Sequence, residues 1–166
     1  DTGLSAQLVD DAIARNVAML QAAGDLEAAV TGGQLRVRVT NMMGHKLPTG
    51  YGEGRRMWIE VKFLDAGGNV VDTRGGHDPM TADLDSGSTT VYAIDHGLDA
   101  QMAAATGVPV GKSLHFLLNN VTEKDNRIPA RGFSNAAYDA VGAPVIGALY
   151  EDAQYWSETD FALPMG

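Results

Sequence analysis

The spacing of apolar residues changes once along the chain, at Gly24. Before it, apolar side chains recur at the interval of one helix face across residues 5–23. These positions are Val9, Ile13, Val17 and Leu20. The pattern predicts one amphipathic helix that ends at Gly24 and packs its apolar stripe on the rest of the protein.

After Gly24, apolar and polar residues alternate, which is typical of strands with one buried face. The alternation is regular in QLRVRVTN (34–41), and Gly32-Gly33 predicts a hairpin with the preceding LEAAV. Further strands are predicted in MWIEVKF (57–63), VV (70–71), TTVYAI (89–94) and SLHFLLNNV (113–121). A short helical or coiled stretch around residues 135–144 and a final strand pair within residues 148–164 complete the pattern.

Short strands separated by Gly, Pro and Asp turns, without βαβ alternation or repeats, favour a mainly β fold. We predict an antiparallel immunoglobulin-like β-sandwich with one N-terminal amphipathic helix. In this prediction residues 1–24 are the helix packed on the sandwich, and residues 25–166 are a single sandwich domain. A chain of 166 residues is long enough for one domain with a core and short for two.

The numbers of charged residues and of cysteines limit the classes of function that the chain can have. With 21 acidic and 12 basic residues the net charge is -9, which disfavours binding to nucleic acid or to an anionic membrane surface. The absence of cysteine excludes disulfides, thiolate metal sites and covalent haem attached through C-x-x-C-H. No apolar run approaches the roughly 20 residues of a membrane span. The sequence begins at Asp1 without a signal-peptide pattern, so we expect a processed product or part of a longer protein.

Residues 41–61, NMMGHKLPTGYGEGRRMWIEV, join two predicted strands through a dense set of turn residues and ionisable groups. The glycines permit positive φ angles, and Pro48 stiffens the turn. Long loops at the end of a sheet often carry sites. Either this loop presents His45 and the Arg55-Arg56 pair to a partner, or it only crosses between sheets with the arginines paired to acids.

GHKLPTG, EGRRMWIEVKFLDAGGNVV and the later KDNRIPARGF resemble a haem-free β-domain at the C-terminal end of bacterial multihaem c-type cytochromes. The resemblance implies an immunoglobulin-type sandwich, periplasmic or extracellular, that packs beside a haem-bearing domain or protein and supports electron transfer. It implies no catalysis and no haem bound covalently by this chain. The sequence departs from the full family pattern because it contains none of the haem-attachment sites.

The resemblance also implies roles for particular residues. His45 is a candidate axial ligand for a haem held by the partner. Candidate contacts to haem propionates are Arg55, Arg56, Arg127 and Arg131. Alternatively, Arg127 and Arg131 brace their own loop against acids such as Asp125 or Glu123.

The segments GHKLPTG (44–50) and KDNRIPARGF (124–133) are called the first and the second motif loop. We assign a structural role to eight of their residues. They are Gly44, Lys46, Pro48, Thr49, Gly50, Asp125, Asn126 and Pro129. The two loops are predicted to lie near each other at one end of the sandwich.

A small metal site is a separate hypothesis. The candidate ligands are His45, His77, Asp78 and His96. Neighbouring methionines would suit copper, and aspartates around residues 78–85 or acids at 123–125 would suit calcium. Solvated turns, core methionines and surface histidines are the alternative interpretations, because the spacing matches neither H-E-x-x-H nor an EF-hand.

No nucleophile elbow, phosphate-binding loop or dinucleotide-binding motif is present in the sequence, which disfavours an enzyme. Two other classes remain open beside the cytochrome-associated domain. One is a free-standing interaction or adhesion sandwich that uses an exposed strand edge or the aromatic residues Tyr150, Tyr155 and Trp156. The other is a small metal-binding protein that uses His and Met. The sequence leaves homo-oligomerisation open.

Overall fold

The computed structural model of the chain describes residue 3, residues 5–52 and residues 54–164. It is mainly β, with antiparallel sheets that follow an N-terminal helix. The helices are α1 (Ala6–Gln21), α2 (Ala100–Thr106) and α3 (Asn135–Ala140). The strands are β1 (Gly24–Thr31), β2 (Gln34–Asn41), β3 (Arg56–Trp58), β4 (Val61–Leu64), β5 (Val70–Arg74), β6 (Val91–Leu98), β7 (Gly111–Lys112), β8 (Val121–Asp125) and β9 (Trp156–Ala162).

One sheet has the strand order β1-β2-β9, and its first two strands form the hairpin predicted from Gly32-Gly33. Both glycines have positive φ angles, 60° and 78°, which suits a tight two-residue hairpin turn. In the second sheet β6 pairs with β3, β7 and β8. A separate hairpin joins β4 and β5 through a turn at residues 65–69.

The two larger sheets contribute to one core. Val37 and Phe161 come from the first sheet and Tyr92 from the second, and each is at most 3% exposed. Loop residues Leu47 and Ile128 complete the same cluster. The arrangement is sandwich-like, with the loops filling the space that the sheets leave between them.

The predicted strand MWIEVKF is interrupted. It divides into β3 and β4, and the buried Ile59 lies between them with its carbonyl accepting a hydrogen bond from Thr89 Oγ1 at 2.7 Å. The predicted apolar face is nevertheless correct, because Met57, Val61 and Phe63 all pack against the core that contains Ile59.

The predicted strand SLHFLLNNV is wrong over most of its length. Residues 113–119 turn, and β8 begins only at Val121. Ser113 and Asn119 explain the difference, because their side chains bond to nearby backbone groups and so compete with strand pairing. The final segment also differs, since β9 pairs with β2 and does not form a hairpin of its own.

Sequence reasoning missed α2, although local signals for it exist. Asp99 caps its first turn by accepting from Met102 N at 2.8 Å, and Gly107 ends it with a φ of 74°.

The helix α1 departs from the prediction in two respects. It ends at Gln21, and Gly24 belongs to β1. Its apolar stripe is not packed on the sandwich: Ile13 is 55% exposed and Leu20 is 69% exposed. Loop side chains such as Leu47 already close the core, so the helix is not needed to cover it. Within the described ranges, no helix has both the length and the apolar character required to cross a membrane.

Candidate functional site

The two motif loops meet through their backbones, as the sequence predicts. Leu47 N donates to Ile128 O at 2.8 Å, and Ile128 N donates to Leu47 O at 2.9 Å. This two-way pairing joins the GHKLPTG segment to the NRIPARGF segment, although 81 positions separate the paired residues. Pro48 and Pro129, the next residues along each segment, are also buried.

The side chain of Asn41, at the end of β2, forms hydrogen bonds to both motif loops. It is 1% exposed, and its Nδ2 lies within 3.0 Å of the carbonyl oxygens of His45, Ile128 and Pro129. Its Oδ1 accepts from Met43 N at 2.8 Å. One buried amide therefore satisfies backbone groups of both motifs, which would otherwise be costly to bury.

A buried ion cluster forms the second connection. Lys46 Nζ lies 2.7 Å from Asp125 Oδ2, and both side chains are at most 6% exposed. Arg127 binds the same carboxylate with two hydrogen bonds, of 2.7 and 2.8 Å. Lys46 also donates to the carbonyls of Ala143 and Pro144. We call Asn41, Lys46, Asp125 and Arg127 the motif junction.

The charge state of Asp125 follows from these contacts. Burial alone would raise the pKa of this carboxyl, but the hydrogen bonds and charges of Arg127 and Lys46 outweigh it and leave the pKa below its ordinary value. Asp125 is therefore an anion between two cations at neutral pH. This arrangement confirms the bracing role for Arg127, which uses both carboxylate oxygens.

Asn126 extends the sheet from the same loop. Its Oδ1 accepts from Ala93 N at 2.9 Å and its Nδ2 donates to Val91 O at 2.9 Å, so the side chain substitutes for a paired strand. Tyr150 donates its hydroxyl to Asn126 O, and burial raises the pKa of this tyrosine. Tyr150 is thus a core residue rather than a recognition residue.

The other two aromatic candidates, Tyr155 and Trp156, also make contacts within the chain. Tyr155 and Trp156 pack edge to face with ring centroids 5.4 Å apart. Arg131 lies over the Tyr155 ring at 5.0 Å, and Arg38 lies over Trp156 at 5.5 Å. Arg131 therefore packs on an aromatic ring, whereas the bracing alternative placed it on an acid such as Asp125 or Glu123.

An open groove of about 800 Å³ borders the first motif loop. Apolar side chains from the end of α1, the start of β1 and the first motif loop line most of it. They include Met19, Leu20, Leu26, Met43, Leu47 and Pro48. Arg55, Arg56 and His77 also line the groove, together with the acidic Asp25. The groove therefore combines an apolar floor with an arginine margin and one carboxylate.

The guanidinium groups of Arg55 and Arg56 each donate a hydrogen bond to a backbone carbonyl. Arg55 Nη1 donates to Thr49 O at 3.0 Å, and Gly50 leaves space for that guanidinium because any side chain there would occupy its position. Arg56 donates to Ala82 O and lies 5.6 Å from the ring of Trp58. Both arginines are exposed, so this margin is accessible.

The candidate metal ligands are not brought together as a site. His45 is exposed near Gly44, whereas His77 packs 5.2 Å from the Trp58 ring. His96, on β6, has its Nδ1 3.4 Å from Thr122 Oγ1. Asp78 caps its own turn by accepting from Met80 N, which lowers its pKa. Across residues 5–52 and 54–164, no group of three or more His, Asp or Glu side chains is placed to hold a metal ion.

Comparisons of the chain with protein-family models, with curated proteins and with solved structures find no match.

Proposed function

We propose that this chain is a haem-free, non-catalytic domain of, or derived from, an extracytoplasmic multihaem cytochrome. In this proposal it is an immunoglobulin-type sandwich that packs on the haem-bearing part and supports electron transfer without binding a haem covalently. The observation that carries the proposal is the motif junction. The two segments on which the resemblance rests converge on one buried polar network, as parts of a single built feature would.

The groove beside the first motif loop supplies a surface for such a partner. Its apolar floor suits the edge of a porphyrin or an apolar protein segment, and its arginine margin suits carboxylates such as propionates. Of the four arginine candidates, Arg127 is bound to Asp125 and Arg131 packs on Tyr155. Arg55 and Arg56 are therefore the two that we assign to a partner.

His45 keeps its candidate role as a ligand in trans. Its backbone carbonyl is fixed by Asn41, while its side chain is exposed. A fixed backbone with an exposed imidazole limits the entropy that would be lost on ligation. We therefore expect the rigid junction to fix the position of His45 relative to the groove.

The test is recovery of a tagged chain from the cells that produce it, with the visible spectrum and the intact mass measured on one sample. We expect Soret absorption to co-elute with the chain, and to be lost from the double variant Arg55→Gln/Arg56→Gln. The charge-matched control Lys62→Gln/Lys112→Gln, at two exposed lysines outside the groove, should retain it. A colourless wild-type sample with the mass of the bare chain would overturn the proposal.

His45→Ala separates ligation from docking. If His45 is an axial ligand, the variant should still co-elute with the haem-bearing partner while the haem spectrum shifts. An unchanged spectrum would remove the ligand role and leave the docking role intact.

A further inference from the structure

Strand β1 is a long and unprotected sheet edge. Its eight residues pair with β2 on one side, and no other described strand pairs with its outer side. All of its residues after Gly24 are exposed. The strand contains no proline or lysine and its register with β2 is regular, so three devices that prevent edge pairing are missing from it: proline, lysine and a β-bulge.

The direction of the free backbone groups follows from β2. Asn41 N donates to Tyr155 O on the β9 side, whereas Met42 N donates to Ala23 O on the β1 side. Because hydrogen-bonding direction alternates along a strand, even-numbered residues of β2 face β1, and their partners are the odd-numbered residues of β1. The outward N–H and C=O groups of β1 are consequently those of Gly24, Leu26, Ala28 and Val30.

We infer that a second copy of this chain pairs with β1, antiparallel, about a twofold axis through Ala28. In this register Ala28 faces Ala28 of the second copy and Leu26 faces Val30 in both directions, which joins outward-facing groups only. The result is one six-stranded sheet, β9-β2-β1-β1-β2-β9. A self-complementary edge of this kind produces a closed dimer.

Charge disfavours the register whose axis lies one residue nearer the N-terminus. With the axis at Ala28, Asp25 faces Thr31 and Glu27 faces Ala29, so no like charges stand opposite each other. Moving the axis by one residue towards the N-terminus would place Glu27 directly opposite Glu27. Glu27 also has Arg38 on the neighbouring strand at 3.8 Å, which reduces the cost of bringing two acidic chains together.

The side chains give a second reason for pairing. Leu26 and Val30 are each 65% exposed, although they share a face with Val39 and Leu35 of β2, on the side of the core. Pairing about Ala28 would place Leu26 of each copy beside Val30 of the other and continue that apolar face across the axis.

The pairing uses the backbone edge of β1, whereas the proposed function uses the arginine margin of the groove. Leu26 borders both surfaces, but cross-linking at Ala28 reports on the pairing alone and does not depend on the proposed function. The chain has no cysteine, which allows a direct test with Ala28→Cys. Residues facing each other in a hydrogen-bonded antiparallel pair have Cα atoms about 5.5 Å apart, within the range that a disulfide spans. Leu149→Cys, at a position 98% exposed, is the matched control.

We expect Ala28→Cys to form the disulfide-linked dimer at least about tenfold faster than Leu149→Cys, because pairing raises the local thiol concentration. Sedimentation of the wild-type chain should show a species of twice 17.5 kDa. Ala28→Pro should return it to 17.5 kDa without loss of folding, because the N–H removed faces outward. Equal cross-linking rates for the two cysteine variants, or a wild-type chain that stays at 17.5 kDa at every concentration, would overturn the inference.

Discussion

The motif junction and the surface formed by α1 and β1 invert the usual distribution of residues. At the junction, Asn41, Lys46 and Asp125 are at most 7% exposed. On the α1–β1 surface, defined by Val9, Ile13, Val17, Leu20, Leu26 and Val30, every side chain is at least 43% exposed. The motif junction buries charged side chains, and the α1–β1 surface exposes apolar side chains.

The difference separates what makes the fold specific from what is available to partners. Buried polar groups are tolerated only when each has its partner, so the junction fixes one relative placement of two distant loops. Exposed apolar groups contribute little to the stability of the chain alone, and their free energy becomes available only when a second surface covers them. The first region determines geometry, and the second determines association.

The largest expected effect is that of Asp125→Ala. It leaves Lys46 and Arg127 without their shared anion, and the loss of one partner from a buried ion cluster costs about 3–5 kcal/mol. Urea unfolding measures this loss. The control is Asp160→Ala, which breaks the doubly hydrogen-bonded pair with Arg36 on the sheet surface and should cost far less. Equal losses for the two variants would contradict a special role for the junction.

Asn41→Ala should be next in size. It leaves buried carbonyls of both motif loops and the N–H of Met43 without their partner, at a cost of about 2–3 kcal/mol. The same unfolding experiment applies, with Asn69→Ala in the exposed turn after β4 as the control. If Asn41→Ala is no more destabilising than Asn69→Ala, the junction does not depend on this amide.

Asp125 should titrate below the ordinary value of about 3.9. A carboxyl whose pKa is depressed by folding contributes stability that is fully present above the unfolded pKa and is lost as the pH falls through the folded pKa. The free energy of unfolding should therefore decrease as the pH is lowered below about 4. Carboxyl ¹³C NMR measures the pKa directly, and titration of Asp125 at or above the ordinary value would contradict the ion cluster.

The smallest effect on stability is expected at α1. The triple variant Val9→Ser/Ile13→Ser/Val17→Ser should change the free energy of unfolding by less than about 0.5 kcal/mol per site, because these side chains are exposed. Its binding of the apolar dye ANS should nevertheless fall. Val37→Ser, at a position 3% exposed, is the buried control and should destabilise strongly. Destabilisation of similar size in both variants would mean that α1 packs on the domain.

Features of the fold that depend on neighbouring residues were predictable from sequence. The hairpin at Gly32-Gly33 is one example, because its turn and its alternating strands are all local. The segment 113–121 was not predictable from alternation alone, because Ser113 and Asn119 bond to the backbone and favour a turn. The exposed helix face was missed for a different reason: an amphipathic pattern indicates that a face requires a cover, but not where the cover lies.

The candidate site likewise contains some features that were predictable from sequence and one that was not. The proximity of the two motif loops and the pairing of Arg127 with Asp125 were predictable, the latter because the residues are two positions apart. The role of Asn41 was not, since its acceptors Ile128 and Pro129 lie 87 and 88 positions away. A lone Asn at the end of a strand carries no local signal of such contacts.

Hydrogen–deuterium exchange on the isolated chain, kept dilute, tests the contrast between the two regions most directly. We predict that amides of Leu47 and Ile128 exchange only on global unfolding, since each is donated to the other loop in the core. Amides along α1 should exchange orders of magnitude faster, because no described side chain of its apolar stripe is buried. Protection of α1 equal to that of Leu47 and Ile128 would show that the helix is part of the closed core, and the α1–β1 surface would then not be open to a partner.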